Sequence, residues 1–481
     1  TRARIADIYR ELPPWLSSTP RRKALDLYAK AYEEFGKFND RASQAAMKVA
    51  MGLTIGDEAT RSANTEGDTQ FNQALEHIES GLEIYKELGD ERKVALALSH
   101  AGDVARKGQS PEMRIKAYDY LTRSLEAYRQ VHDQQKMAYL ARTLVAIDEQ
   151  MQRYDRALTG YWLVLELYRS LKQPINEAIA VAELGRAFVD TYTNPNTPAL
   201  QKQALTKDAP RLIELMRNSA ATQPYTSNAT WRGILLTNLG RIHEERKEYE
   251  EAVKVFEEAL KDLKRAKGYE PSQFYVLGFL TRISRITGKQ QEQKRYLQEA
   301  AQLIPQMPVL SLQHENSLQL GSTALAANEH KLAAEAFKVA IDISKKIQQP
   351  IYMPASLPST LHRVAKEYSL NERWEEAMGY FTQATQLYQK HNEFFGEALV
   401  ATSIAEGYAR RKDHVKAIEY HEQALKLYRR AGNNFAAGNA LRSISSSYRI
   451  LGDKAKAEQY QKQAEALGQG IVPLPPAPPL Q

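Results

Sequence analysis

The chain has 481 residues, of which 43% are hydrophobic and 26% are charged, a composition typical of folded proteins and unlike that of disordered ones. It contains no cysteine, which excludes disulfides, a thiol nucleophile and thiolate metal ligands. The net charge of +7 favours an acidic partner but, at this length, does not indicate nucleic acid. No run of about 18 apolar residues occurs, so we expect no membrane-spanning helix.

The N-terminal part of the chain has weak helical periodicity. It starts at Thr1 without an initiator Met or an apolar signal core, so we expect a processed start or a longer parent protein. Pro13-Pro14-Trp15-Leu16 forms an irregular apolar segment, and residues 53–69 break the period before a helix predicted over Ala74–Tyr85. We therefore predict capping helices and irregular first repeats over residues 1–89.

From residue 90 onwards one pattern recurs about every 40 residues. Tyr368, Tyr408 and Tyr448 are 40 residues apart, and each lies four residues after an apolar residue. We number the first helix of each unit so that its central apolar residue is position seven. The position-seven residues are Ala101, Leu144, Leu184, Leu239, Leu280, Leu320, Val364, Ile404 and Ile444. Position eight is small in seven of the nine units, as at Gly102 and Gly321, and a small residue allows a second helix to pack closely.

A second helix is predicted after each first helix. It follows a turn with Gly or a polar pair, as in residues 451–454, and often ends in an apolar–aromatic pair such as Leu427-Tyr428. Its recurring alanines are Ala157, Ala252, Ala333, Ala377, Ala417 and Ala457, and then Ala259, Ala300, Ala340, Ala384, Ala424 and Ala464. A fixed period of this size predicts an architecture of stacked repeats.

Two segments interrupt the period, and a proline-rich tail follows it. Asp190–Pro198 is rich in Pro, Asn and Thr and precedes a helix that we predict to be broken near Pro210, while residues 350–358 carry three prolines. Both interruptions are interpreted as surface loops, or as loops that contact a partner. Residues 470–481 should be extended polyproline II, either a linker to a further domain or a proline motif that binds another module.

This pattern resembles the tetratricopeptide repeat. The clearest unit reads Leu-Thr-Asn-Leu-Gly-Arg-Ile-His over residues 236–243 and continues through Ala252 to Ala259. The resemblance covers about residues 90–468 and, more loosely, 21–90. It implies an all-α fold, a right-handed α-solenoid of about nine to eleven stacked antiparallel helix pairs. The expected domains are 1–89, then the array over 90–468 with an insertion near 190–230, then the tail at 469–481.

The 40-residue step is longer than the usual step of about 34, so the resemblance implies that a helix or a turn is extended. Long-period arrays of this kind are similar to those of kinesin light chains and of bacterial signalling proteins. Some of the latter carry a caspase-like CHAT protease domain after the repeats.

No constellation of catalytic residues occurs in the sequence. There is no glycine-rich phosphate loop and no nucleophile elbow. His243 begins His-Glu-Glu-Arg, which lacks the second histidine of a zinc-protease helix, and His414 and His421 fall on either side of a predicted turn. We therefore predict that the chain is not an enzyme and that it holds no cofactor and no metal.

The first helices offer a candidate binding surface. In tetratricopeptide arrays the first helix lines the concave face, and positions two, five, nine, twelve and thirteen point into it. The predicted partner-binding residues at these positions are Arg142, Arg186, Arg241, Arg282, Arg285, His362, Lys366, Asn439 and Arg442. Guanidinium groups there would hold carboxylates or phosphates through paired hydrogen bonds. The alternative is a solvated basic face that local acids such as Glu183 and Glu244 neutralise.

Three functions are compatible with these observations. The first is a non-catalytic scaffold or sensor that binds a protein segment, acidic in character, in its groove, in a cytoplasmic setting. The second is the regulatory part of a larger enzyme, such as a CHAT-type protease whose catalytic domain lies outside this chain. The third is a scaffold that self-associates through its terminal units. Nucleic acid is disfavoured because the aromatic residues occupy packing positions.

Overall fold

The computed structural model describes residues 2–11, 19–60 and 67–468, which form helices joined by turns. The α-helices are α1 (Arg2–Glu11), α2 (Thr19–Lys37), α3 (Arg41–Ala59), α4 (Gly67–Glu87), α5 (Glu91–Arg106), α6 (Pro111–Gln130), α7 (Gln134–Gln150), α8 (Tyr154–Ser170), α9 (Pro174–Thr193), α10 (Ala199–Ala220), α11 (Ala229–Glu245), α12 (Tyr249–Arg265), α13 (Glu270–Ile286), α14 (Gln290–Leu303), α15 (Leu310–Ala326), α16 (His330–Ile347), α17 (Leu357–Leu370), α18 (Trp374–Lys390), α19 (Phe394–Arg410), α20 (His414–Arg430), α21 (Asn434–Ile450) and α22 (Lys454–Gly468). Short 3-10 turns occur at Tyr225–Ser227 and Ile304–Gln306. Pro13–Leu16, residues 61–66 and the tail lie outside the described residues.

Most of the described helices pack on their neighbours in sequence. Odd-numbered helices are first helices and even-numbered helices are second helices, and the members of many pairs pack closely, as α5 with α6 and α19 with α20. The described residues thus give eleven pairs, which confirms the predicted all-α solenoid type of fold. The helices divide into two compact units, residues 1–255 and residues 256–481.

The core of each helix-pair repeat follows the predicted positions. The position-seven residues are all buried, with Leu144 the most exposed of them at 8%. The small residue at position eight leaves room for the second helix. A Cβ at Gly102 would lie 2.5 Å from the Leu121 side chain, and a Cβ at Gly321 would lie 2.4 Å from the Phe337 ring. The predicted close approach of the two helices is therefore confirmed.

The 40-residue step is made of two steps of 20 residues. From α18 to α21 each helix has 17 residues and is followed by a three-residue turn. The turn residues with positive φ are Glu372, Asn392, Lys412, Gly432 and Gly452. The next amide donates to the carbonyl five residues back, as from Asp413 to Tyr408 at 3.0 Å, which satisfies the end of the helix. Since three of these five turns lack glycine, glycine in the sequence is a weak predictor of where these helices end.

The tyrosines that recur at 40-residue intervals join the two helices of a pair. Each stacks on a tyrosine of the following second helix, with ring centroids 5.5–5.6 Å apart. The stacked pairs are Tyr368 with Tyr380, Tyr408 with Tyr420, and Tyr448 with Tyr460. These aromatic residues therefore serve packing within each repeat, as the sequence indicated.

The predicted breaks are smaller than expected. α3 continues to Ala59, so part of the 53–69 segment is helical. The prediction that a helix breaks near Pro210 was wrong, because α10 runs through this proline. A proline inside a helix costs about 3 kcal/mol. Burial of Leu205, Leu212 and Met216 on the same helix offsets that cost, since each fully buried apolar side chain contributes about 1.5–3 kcal/mol.

Candidate functional site

In residues 1–255 side-chain hydrogen bonds connect successive first helices. The Tyr139 hydroxyl on α7 donates to Asp103 on α5 at 3.4 Å. Arg142 on α7 donates to Glu183 on α9 at 2.6 Å. The contacts join positions two, five, six and nine of neighbouring repeats, so these positions share one face, referred to below as the first-helix face. Burial, and then the charge of Asp103, raises the pKa of Tyr139, which keeps its hydroxyl protonated as a donor.

The predicted arginines of residues 1–255 are engaged by acids on the same face. Besides the Arg142–Glu183 pair, Arg186 contacts Glu149 at 2.8 Å and Asp190 at 3.1 Å. Arg241 contacts Asp190 as well, at 3.4 Å, so this carboxylate brings the two arginines together. In residues 1–255 the face therefore fits the alternative hypothesis, in which local acids neutralise the arginines. Glu183 is one of the acids that this hypothesis includes.

The two predicted residues on α17, Lys366 and His362, differ in exposure and charge. Lys366 is exposed and makes no ion pair among the described residues. His362 packs its ring 6.0 Å from Phe381 and shares a 2.9 Å hydrogen bond with the Ser403 hydroxyl. Burial, and then the charge of Lys366, lowers the pKa of His362 to about 4, so this side chain is neutral at pH 7. His362 therefore adds no positive charge to the face.

On α21, Arg442 donates a hydrogen bond to the side-chain oxygen of Asn439 one turn earlier. Both side chains are exposed. Because its carbonyl oxygen accepts from Arg442, Asn439 keeps its amide N–H groups for a ligand, and the guanidinium keeps further donors.

Arg282 and Arg285 line one cavity, of about 300 Å³, between α13 and α15. Its other lining residues are Tyr275, Gly278, Phe279, Thr281, Gln293, Gln319, Ser322, Thr323 and Ala326. Tyr275 meets Phe279 edge to face with centroids 4.6 Å apart, and Arg282 lies 5.0 Å above the Phe279 ring. The cavity thus has an aromatic wall and two guanidinium groups at predicted positions.

Four features make this cavity suited to an anion. Arg285 is exposed and has no ion pair among the described residues. Gln293, on α14, is only 7% exposed, and its Nε2 has no hydrogen-bond partner in the described structure. A Cβ at Gly278, which also lines the cavity, would meet nothing within 4 Å, so the space beside this residue is open. None of the described lining residues is acidic. A buried donor without a partner costs about 1–3 kcal/mol, which an acceptor oxygen would recover.

The charge pattern of the first helices does not reveal the apolar character of position two. In residues 1–255 this position carries Leu96, Tyr139, Ile179 and Ile234 on α5, α7, α9 and α11, named here the apolar stripe. Leu96, Tyr139 and Ile234 are 40–48% exposed, and Ile179 is half-buried. In residues 256–481 position two reads Tyr275, Glu315, Ser359, Leu399 and Asn439. Among the first helices α5–α21, only those of residues 1–255 therefore form an unbroken stripe. Comparison of position two across the repeats of the sequence is sufficient to reveal it.

The tetratricopeptide repeat family matches the chain over residues 235–268 and 396–469. No curated protein sequence matches it significantly. One similar solved structure is a signal transduction ATPase with a tetratricopeptide repeat sensor from Pyrococcus horikoshii, at 17% identity and TM-score 0.38, covering 98% of this chain and 66% of that one. Another is aspartyl phosphate phosphatase F from Bacillus subtilis, at 10% identity and TM-score 0.37, covering 87% and 94%. Yeast Tom70 is 14% identical with TM-score 0.33, covering 96% and 99%.

With TM-scores below 0.5, none of these structural similarities bears on function. The identification depends on the repeats themselves. Helix pairs at a fixed step, with a small residue where the helices cross, define a helical repeat protein. The family matches fall on α11–α12 and α19–α22, two regions with this pattern, so the chain contains tetratricopeptide repeats in these regions. None of its described helices is long and apolar enough to cross a membrane.

Proposed function

We propose that this chain is a non-catalytic protein-interaction module that binds an acidic segment of a partner. The α13–α15 cavity holds a carboxylate of that segment. The observation that supports this proposal is the pairing of Arg285 with the buried, unpartnered Nε2 of Gln293 around a cavity whose described lining contains no acid.

The chemistry of the cavity matches a carboxylate. A guanidinium presents a planar fork that donates two parallel hydrogen bonds to the two oxygens. The Gln293 amide adds a third donor from a side chain that is already fixed by burial. The Ser322 hydroxyl donates to Glu367 at 2.7 Å, and the Thr323 hydroxyl donates to the carbonyl of Gln319 at 2.8 Å. Because both hydroxyl protons are already used, Arg285 and the Gln293 amide supply the hydrogen-bond donors for the carboxylate.

The other predicted residues divide into two groups in this proposal. Lys366 and the Arg442–Asn439 pair extend the binding face of the second unit along the partner segment. Arg142, Arg186 and Arg241 do not belong to it, because Glu183, Glu149 and Asp190 already engage them. Reversing the charge of Arg241 is consequently a poor test, since it would place a carboxylate beside Asp190.

The test is fluorescence anisotropy of a labelled oligo-glutamate peptide titrated with the full chain. Arg285→Gln removes the guanidinium and should weaken binding about tenfold, because a hydrogen bond to a charged group contributes about 1.5–3 kcal/mol. Binding should also weaken as salt is added.

Arg295→Gln is the matched control. This exposed arginine on α14 is paired with Glu257 at 3.0 Å and does not line the cavity. Its replacement should leave peptide affinity unchanged. Equal affinity of wild type and Arg285→Gln, or equal binding of an oligo-lysine peptide, would overturn the proposed function.

A further inference from the structure

A cavity of about 310 Å³ in residues 1–255 has a buried carboxylate in its wall. It is lined by residues of the second helices α6 and α8 and of the first helix α7, and is called here the α6–α8 cavity. Asp148 on α7 lines it and is only 3% exposed. The Oδ1 atom of this side chain has no hydrogen-bond partner among the described residues. The proposed function uses no residue of this cavity.

The surroundings of Asp148 leave its carboxylate poorly compensated. The Tyr118 hydroxyl donates to Oδ2 at 3.4 Å, which is long for a hydrogen bond. The guanidinium of Arg153 lies over the Tyr118 ring, 5.4 Å from its centroid, and makes no ion pair with Asp148. Burial raises the pKa of Asp148 more than the charge of Arg153 lowers it. A buried acceptor in this state is unfavourable, so a ligand that donates to Oδ1 would stabilise it.

Two further acceptors line the same cavity. Asp155, in the first turn of α8, is exposed and has no ion pair in the part of the chain that the structure describes. The Thr159 hydroxyl donates to the backbone carbonyl of Asp155 at 3.0 Å, so its oxygen can still accept. Arg156 is the one basic residue of the described lining, against the two aspartates. The lining is therefore acidic overall and suits a cation.

The rest of the cavity wall is largely apolar. Leu125, Leu144, Val145 and Leu163 line it, and Leu144 and Val145 are buried. An apolar wall beside a few convergent polar groups is typical of a site for a small ligand group. The wall matches an alkyl chain, and the acceptors match a positively charged end with several donors.

An ammonium group fits these acceptors better than a guanidinium or a metal ion does. A guanidinium binds a carboxylate best through both of its oxygens, but Tyr118 already donates to Oδ2 of Asp148. An ammonium is a compact charge with three donors, and a single oxygen from each acceptor is enough for it. Within the described ranges, no group of three or more acidic or histidine side chains could hold a metal ion.

We infer that the α6–α8 cavity binds a primary alkylammonium group, with Asp148, Asp155 and Thr159 as its acceptors and the leucine side chains against its alkyl chain. A free alkylamine and a lysine side chain of a partner share this chemistry. The site consists of residues of the first unit alone, and it does not depend on the proposed carboxylate site.

The test is a saturation-transfer difference NMR titration of the full chain at pH 7 with n-pentylamine and with Nα-acetyl-lysine N-methylamide. Saturable binding with a Kd on the order of 1 mM is expected for ligands of this size. Binding of the lysine derivative supports a lysine side chain of a partner as the occupant, and binding of n-pentylamine alone supports a free amine. The uncharged n-pentanol should bind at least about tenfold more weakly than n-pentylamine.

Three variants test the residues. Asp148→Asn keeps the shape of the side chain and removes its charge, so n-pentylamine should bind at least about tenfold more weakly. Asp155→Asn should weaken binding about two- to fivefold, because an exposed charge contributes less. Arg156→Gln should strengthen binding, since it removes a positive charge from the lining. Far-ultraviolet circular dichroism checks that each variant is folded.

Asp119→Asn is the matched control. This exposed aspartate on α6 is paired with Arg123 at 3.2 Å and does not line the cavity, so its replacement should leave amine affinity unchanged. The inference is overturned if neither amine shows saturable binding, if n-pentanol binds as tightly as n-pentylamine, or if a folded Asp148→Asn chain keeps its affinity. Should Asp148→Asn not fold, undiminished affinity of Asp155→Asn would overturn it instead.

Discussion

A substitution at Gly321 tests the close packing of the two helices within a repeat. In Gly321→Ala the new methyl group would lie 2.4–2.8 Å from three atoms of the Phe337 ring. That ring is fully buried and meets Tyr368 edge to face at 5.4 Å, so it has little freedom to move away. Overpacking of this kind costs about 1–3 kcal/mol, against a gain of about 1 kcal/mol in helix propensity. We expect the free energy of unfolding to fall by up to about 2 kcal/mol.

Gly379→Ala is the matched control for this prediction. Gly379 lies on the exposed side of α18, and a Cβ there would meet nothing within 4 Å. The same substitution should therefore raise the free energy of unfolding by about 0.5–1 kcal/mol through helix propensity alone. Urea unfolding followed by far-ultraviolet circular dichroism compares the two variants with the wild type. The reasoning is refuted if Gly321→Ala is as stable as Gly379→Ala.

Three further predictions concern individual side chains. Burial lowers the pKa of His421 from 6.5 to about 4. Since the unfolded chain takes up the proton first, stability should fall as the pH drops from about 6.5 to about 4, and His421→Gln should flatten this dependence in urea titrations. Tyr296→Phe removes a hydroxyl that donates to Glu257 at 2.7 Å and should lower the free energy of unfolding by about 0.5–1.5 kcal/mol. Asp413→Ala removes the acceptor of the Lys416 amide at the start of α20 and should cost about 1 kcal/mol by the same assay.

Much of the fold was predictable because packing constrains residue size. A second helix crosses position eight of the first, so a small residue such as Gly102 or Gly321 lies there in seven of the nine repeats, and the period is visible in the sequence. The continuity of α10 through Pro210 was not predictable, because the local cost of the proline is offset by burial that depends on tertiary contacts.

The site was predictable only in part. Its predicted positions share one face within the first unit, but whether an arginine there is paired depends on the register of neighbouring helices. The acid that engages Arg241 is Asp190, 51 residues earlier in the chain. Gln293 was missed because it comes from a second helix, and no first-helix pattern includes it.

The proposed carboxylate site is tested most directly by filling its cavity. Gly278→Leu places a side chain into open space on α13 without a clash at Cβ, so the helix should remain at least as stable. Isothermal titration calorimetry with the oligo-glutamate peptide should then show affinity at least about tenfold weaker than wild type. Gly379→Leu, which does not touch the cavity, should bind as the wild type does. Undiminished affinity in a folded Gly278→Leu chain would contradict the assignment of this cavity as the site that holds the partner's carboxylate.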